Sequence, residues 1–188
     1  TLALGASLTG CIDADVDVAI TSQTTARATM TQTMGADFYA MVKMSAESGE
    51  TGSDEFCAEG DLTENADGSA TCVITEEGPF ADLSMGEGEE AMVFAPAGPG
   101  LVRVTLPTAK MTSEMGVEEE MDADTRQMIE AFFAGHAITI RVSGAEVVET
   151  NMSLAADKRS AEQVLPFLDL INGTADLPDE LFAVVRAP

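Results

Sequence analysis

The sequence predicts an α+β fold: an antiparallel, partly barrel-like sheet of about seven to nine strands with two main helices. In three segments, 12–20, 24–34 and 138–142, apolar residues alternate with polar ones, which is typical of half-buried strands. Helical spacing replaces this alternation in two places. With 188 residues and 45% apolar content, the chain can bury a core, and its length suits one domain.

The first two strands are the clearest. Residues 12–20 alternate without exception, with Asp13, Asp15 and Asp17 opposite the branched residues. Residues 24–34 alternate again after a link of three residues, which predicts an antiparallel hairpin.

The two helices are predicted after Gly35 and from Asp124, where a glutamine three residues on completes a capping-box pattern. Their apolar faces contain Phe38, Met41 and Val42 in the first, and Met128, Ile129, Phe132 and Phe133 in the second. Gly135 is the expected end of the second helix.

The other strands are predicted at 55–62, 69–76, 91–95, 101–106, 138–142, 146–154 and 181–186. Segments 77–90 and 108–121 are rich in acidic residues, and we expect an irregular segment and an insertion there. Pro166 interrupts any helix that starts near Ser160, so a strand around Val164 and a kinked helix are equally compatible with the sequence.

Cys57 and Cys72 flank a polar stretch that contains the turn sequence 65–68. We therefore expect a disulfide across a hairpin, which fits an oxidising compartment outside the cytoplasm. Closing a loop of this size contributes about 3 kcal/mol. No CxxC pattern or neighbouring histidine accompanies these cysteines, so a metal site is not expected.

The third cysteine ends the sequence Leu8-Thr9-Gly10-Cys11, which resembles the lipobox of a bacterial lipoprotein. We interpret residues 1–10 as the remnant of a signal peptide and 11–188 as a single periplasmic domain, lipid-anchored through Cys11. Ile12, in place of an aspartate after the cysteine, resembles default sorting to the outer membrane of a Gram-negative bacterium. No later run of about 18 apolar residues predicts a second membrane span.

The net charge of −24 comes from 33 acidic and 9 basic residues. Such a surface repels phosphate backbones, so nucleic acid is not an expected partner. High salt would screen the self-repulsion, as in a marine organism. A basic envelope protein and a weakly bound divalent cation stay open as partners.

No residue pattern predicts catalysis, a cofactor or a metal site. Calcium needs six to eight oxygens in a curved cage, which Asp13, Asp15 and Asp17 on one strand do not supply. The chain has eleven methionines but only one histidine, His136, whereas copper sites usually combine methionines with histidines. The methionines therefore indicate flexible apolar packing. The sequence contains no nucleophile elbow, HExxH motif or P-loop to accompany His136. We therefore expect His136 at a helix end or in the core.

The order of these features resembles the LppM-type bacterial lipoprotein domain. Cys11 is followed by a strand with alternating aspartates, a Thr-rich strand and a helix. Strands at 138–151 and a closing segment at 165–185 come near the end of the sequence. The resemblance implies a small α+β, barrel-like envelope domain without catalytic residues that binds lipid or glycolipid. The family's C-terminal membrane span has no counterpart in this sequence, and the cysteine pair is not taken from the family.

The expected function is therefore that of a membrane-anchored lipoprotein that binds a lipid or another amphiphilic envelope component in a Met- and Phe-lined interior. Phe38, Met41, Phe132 and Phe133 are the candidate ligand-binding residues. The alternatives are an accessory subunit of a larger envelope complex and a weak divalent-cation binder.

Overall fold

The computed structural model describes residues 12–47, 56–58, 60–83, 91–109 and 123–188. Within these ranges eleven strands form two sheets, together with three α-helices and a 3-10 turn at Phe80–Asp82. The strands are β1 (Ile12–Ile20), β2 (Thr25–Met34), β3 (Asp61–Glu64), β4 (Ala70–Pro79), β5 (Val93–Gly98), β6 (Leu101–Pro107), β7 (Ala137–Ser143), β8 (Glu146–Thr150), β9 (Ser153–Leu154), β10 (Ser160–Pro166) and β11 (Glu180–Arg186). The helices are α1 (Ala36–Glu47), α2 (Ala123–Phe133) and α3 (Phe167–Ile171).

The seven-stranded sheet has the order β3-β4-β2-β1-β7-β10-β9, and the four-stranded sheet has the order β5-β6-β11-β8. Pairing is antiparallel except between β1 and β7, which run parallel. The α+β class is confirmed. The two main helices are confirmed as α1 and α2, and α3 is a further, short helix. The described strands number eleven instead of seven to nine, and they divide into two sheets, neither of which closes into a barrel.

The main core lies between the two sheets. Alternation along β1 turns Val18 and Ile20 inward, and Val102 and Val185 of the four-stranded sheet belong to the same buried cluster. Fully burying one such side chain contributes about 1.5–3 kcal/mol, so this cluster is the chief apolar contribution to stability.

A second, smaller cluster packs beneath α1 and is called the corner cluster here. Its buried members are Met34, Tyr39 and Ala70. Four partly buried residues, Ile12, Phe38, Val42 and Phe56, pack against them.

All three helices attach to one end of the seven-stranded sheet, which we call the helical end. Ile12 pairs with Met34 there, so β1 begins where β2 ends and leads into α1. Because β7 runs parallel to β1, it begins at the same end, just after α2. Pro166, opposite Ala137, ends β10 and leads into α3. The turn between β1 and β2 lies at the opposite end.

Four local predictions differ from the structure. The strand predicted at 91–95 is β5, which begins at Val93 and continues to Gly98 through its pairing with β6. β4 continues to Pro79, beyond the predicted end at residue 76, because its pairing with β2 extends to Thr25. The strand predicted at 55–62 begins only at Asp61, since Cys57 lies in a turn. The strand predicted at 146–154 is divided between the sheets at Asn151, whose side chain donates to the Glu180 carbonyl and accepts from the Phe182 N–H.

Of the two interpretations of the segment after Ser160, the structure supports the strand: β10 runs to Pro166, and the short helix α3 follows it. The predicted irregular segment 77–90 and the predicted insertion 108–121 can be compared with the structure only in part, because residues 84–90 and 110–121 lie outside the described residues. None of the helices in the described part of the chain has both the length and the apolar composition needed to cross a bilayer.

Candidate functional site

A groove lies at the helical end between α1 and the turn that joins β3 to β4. Its volume is about 410 Å³. The lining residues from the helix are Ala36, Tyr39, Ala40, Lys43 and Met44, and those from the hairpin are Glu64, Asn65 and Gly68. The lining therefore combines apolar groups, most of them on the helix, with a lysine, a glutamate and an amide.

Three side chains fix α1 to the hairpin. The Tyr39 hydroxyl donates to Glu64 Oε1 at 2.9 Å, and Lys43 Nζ donates to the same oxygen at 2.8 Å. Lys43 Nζ also lies 5.3 Å from the centre of the Tyr39 ring, within cation–π range. One carboxylate therefore holds two consecutive turns of the helix.

These contacts displace two pKa values in opposite directions. Hydrogen bonds from Lys43 and Tyr39 hold the pKa of Glu64 below its ordinary value, since both stabilise the carboxylate. Burial, together with the hydrogen bond to Glu64, raises the pKa of Tyr39. The tyrosine therefore stays a neutral donor and the glutamate a charged acceptor across the neutral range.

The hairpin side of the groove depends on a tight turn. Asn65 N–H donates to the Ser69 carbonyl at 2.8 Å, and Gly68 has φ +89°, which side chains rarely adopt. Asp67 accepts from the Ser69 N–H and hydroxyl, and these bonds lower the pKa of Asp67. The turn predicted at 65–68 is confirmed.

A disulfide joins Cys57 to Cys72 on β4, with an S–S distance of 1.94 Å and a Cα–Cα distance of 5.6 Å. The predicted pairing is therefore present. Gly60, three residues after Cys57, lies against the disulfide. A Cβ at position 60 would lie 2.8 Å from Cys72 Sγ, so a larger residue there would clash with the bridge. The bridge brings Phe56 to 6.4 Å, centre to centre, from the ring of Tyr39 in the corner cluster.

The four predicted ligand-binding residues lie on the two longer helices of the helical end. Phe38 packs in the corner cluster, and Met41 is half exposed. Phe132 is exposed, whereas the Phe133 ring packs at 5.3 Å on Phe167 of α3. The groove is formed by other residues of α1, and a ligand-binding role for these four stays a prediction. Cys11, the predicted lipidation site, lies outside the described residues.

Sequence reasoning missed the role of two polar side chains in joining β1 to β7. Asp13 accepts from the Ala137 N–H at 3.0 Å and lies 3.1 Å from His136 Nδ1. His136 follows α2, and its side chain is 13% exposed. Because 123 residues separate the pair, no local pattern could have indicated it.

The other aspartates of β1 lie on the polar face of the sheet. Arg141 bridges Asp17 and Glu162, and Asp15 is exposed. The two carboxylates raise the pKa of Arg141, Glu162 most. In the described ranges no group of three or more His, Cys, Asp or Glu side chains is placed to hold a metal ion.

Comparison with solved structures finds the folded domain of LppM from Mycobacterium tuberculosis, determined by NMR. The TM-score is 0.51 and the identity 13%, over 100% of this chain and 96% of that one. At this identity the likeness shows the fold alone, and at that level the LppM-type resemblance is confirmed. The sequence matches no protein-family model and no curated protein.

Proposed function

We propose that this protein is an envelope lipoprotein without catalytic activity, anchored to a membrane through Cys11, which binds a lipid or another amphiphilic molecule. The lipobox-like sequence that ends at Cys11 directly precedes β1, so the anchor would adjoin the folded part of the chain. The LppM-like fold supports the same location in the cell envelope, and so does the disulfide, which suits an oxidising compartment. Ile12 after the cysteine favours the periplasmic face of the outer membrane.

The groove beside α1 is the observation on which ligand binding depends. Its volume falls within the range of small-molecule sites, and its composition, apolar with a few convergent polar groups, is the usual one. Ala36, Ala40 and Met44 offer apolar contact to a hydrocarbon chain. Lys43 and Glu64, paired with each other at 2.8 Å, present an ion pair beside these apolar groups to a polar headgroup.

The absence of catalysis is also part of the proposal. The chain's one histidine, His136, is largely buried and faces Asp13, where it joins two strands. Its placement supports a structural role.

Native mass spectrometry of the membrane-extracted protein tests both parts. The intact mass should exceed that of the chain from Cys11 onwards by acyl groups, and a further adduct should report a bound amphiphile. Ala40→Phe, which fills the groove, should abolish the adduct. Ala131→Phe, on the exposed side of α2, is the matched control and should retain it. An adduct that survives Ala40→Phe would exclude the groove as the site.

A second candidate is an accessory subunit of a larger envelope complex. The net charge of −24 favours it, because an acidic surface attracts a basic protein partner. Pull-down through the lipidated chain at low and high salt tests this function. A stoichiometric basic partner that dissociates as salt increases would support it, and recovery of the lipoprotein alone would contradict it.

A further inference from the structure

Four large apolar side chains are exposed on the two longer helices of the helical end, as two pairs. On α1, Met41 and Met44 are 49% and 68% exposed, and their spacing of three residues places them on one face. On α2, Met128 and Phe132 are 53% and 38% exposed, four residues apart. Single exposed apolar residues need no explanation, but two helical pairs at one end of a sheet do.

The two helices attach close together. α1 follows β2, and α2 precedes β7; these strands flank β1 on either side. Neighbouring strands lie about 4.8 Å apart, so the attachment points are about 10 Å from each other. The space between them is where β1 begins.

The proposed anchor enters at this same place. Cys11 directly precedes Ile12, the first residue of β1, and one residue spans at most about 3.6 Å. Acyl chains on Cys11 would therefore hold the helical end, and no other part of the fold, against the headgroups. The exposed pairs lie at the end that such an anchor turns toward the bilayer.

We propose that the helical end docks on a zwitterionic lipid surface, with the exposed faces of α1 and α2 in the interface and the opposite end of the seven-stranded sheet directed away. This inference rests on the proposed anchoring through Cys11. A helix that lies in a bilayer interface enters the boundary between headgroups and acyl chains by about 5–10 Å. Zwitterionic lipid is specified because the net charge of −24 opposes an anionic surface.

The chain contains no tryptophan, so single-tryptophan variants can report depth without background. The full chain carrying Met41→Trp or Met128→Trp, neither of which lines the groove, is extracted from membranes and reconstituted into phosphatidylcholine vesicles with brominated acyl chains. Emission from both variants should shift to the blue and be quenched. The control, Gln23→Trp, lies exposed in the turn at the opposite end, roughly 27 Å along β1, and should be neither shifted nor quenched.

The intact mass of each preparation separates the two proposals. If the acyl mass is present and both helix variants emit as in water, docking is wrong while anchoring stands. Quenching of all three variants alike would also overturn docking, because the fold would then have no fixed orientation. A mass without acyl groups would overturn the anchor and docking together. Vesicles with added anionic lipid should reduce quenching of the helix variants, and salt should restore it.

Discussion

The main core and the corner cluster beneath α1 are held together in different ways. Among the described residues the main core contains sixteen buried residues, most of them from the two sheets, whereas the corner cluster contains three. In the corner, one disulfide and one carboxylate shared by Tyr39 and Lys43 supplement the smaller apolar contact. Sites that bind ligands are drawn from regions of lower local stability, and the groove lies beside the corner cluster.

Leu181→Ala should give the largest effect, because Leu181 is 2% exposed in the main core. Leaving a cavity there should lower the free energy of unfolding by about 2–5 kcal/mol. Urea denaturation followed by circular dichroism measures this loss. Leu154→Ala is the matched control: Leu154 is exposed on β9, and its replacement should cost about 0.5 kcal/mol or less. Equal losses would contradict the placement of the core.

Removing the disulfide should give the next largest effect. The double variant Cys57→Ala/Cys72→Ala should lose about 3 kcal/mol, since the bridge closes a loop with a sequence separation of 15. Hydrogen exchange should accelerate in α1 and β3 well before it does in β6 and β11. Reductant should reproduce the change in the wild type and leave the double variant unaffected. Uniform acceleration throughout would show that the two regions unfold as one unit.

The sequence predicted the main core better than the corner for a physical reason. The alternation in β1, β2 and β7 and the apolar run in β11 are local properties, and the predicted bounds of each of these strands agree with the structure within one residue at either end. Their assignment to two sheets depends on which strands pair, which no local pattern states. The sequence therefore supported a single sheet of fewer strands, partly barrel-like, whereas the structure has two sheets that share one buried cluster.

The groove could be predicted only in part. Helical spacing identified α1, and the turn sequence identified the hairpin opposite it. Their contact depends on Tyr39 reaching Glu64, 25 residues along the chain, and this pairing has no sequence signature. Apolar character predicts Phe38 and Met41 as ligand-binding residues, whereas the groove is lined by Ala36 and Ala40, whose side chains are small.

Tyr39→Phe should have a smaller effect than either change above. The ring stays in the corner cluster, and only the hydroxyl bond to Glu64 is lost, which costs about 1 kcal/mol. Lys43→Met provides a comparison, because it removes an ion pair whose partners are about half exposed and should cost less than about 1 kcal/mol. Hydrogen exchange of α1 should rank the two. A larger loss for Lys43→Met would show that the salt bridge, not the tyrosine, holds the helix.

The pH dependence of α1 should be the most subtle test. The pKa of Glu64 is lowered in the fold, chiefly by Lys43 and then by Tyr39, so its contribution is complete above the ordinary carboxyl range of about pH 4–5. That contribution is lost as pH falls through the lowered pKa. The pKa of Tyr39 is raised, chiefly by burial, so its contribution is complete below about pH 10 and is lost as pH rises through the raised pKa.

Attachment of α1 should therefore be strongest between these limits and weaken on both sides. The NMR methyl signal of Met44, beside the groove, can follow that attachment across pH. In Glu64→Gln the acid limb should disappear, because no carboxylate remains to be protonated, while the alkaline limb persists, since burial of Tyr39 is unchanged. An acid limb of equal size in this variant would assign it to other carboxylates, and α1 would then be held by apolar contact and the disulfide instead of by the shared carboxylate.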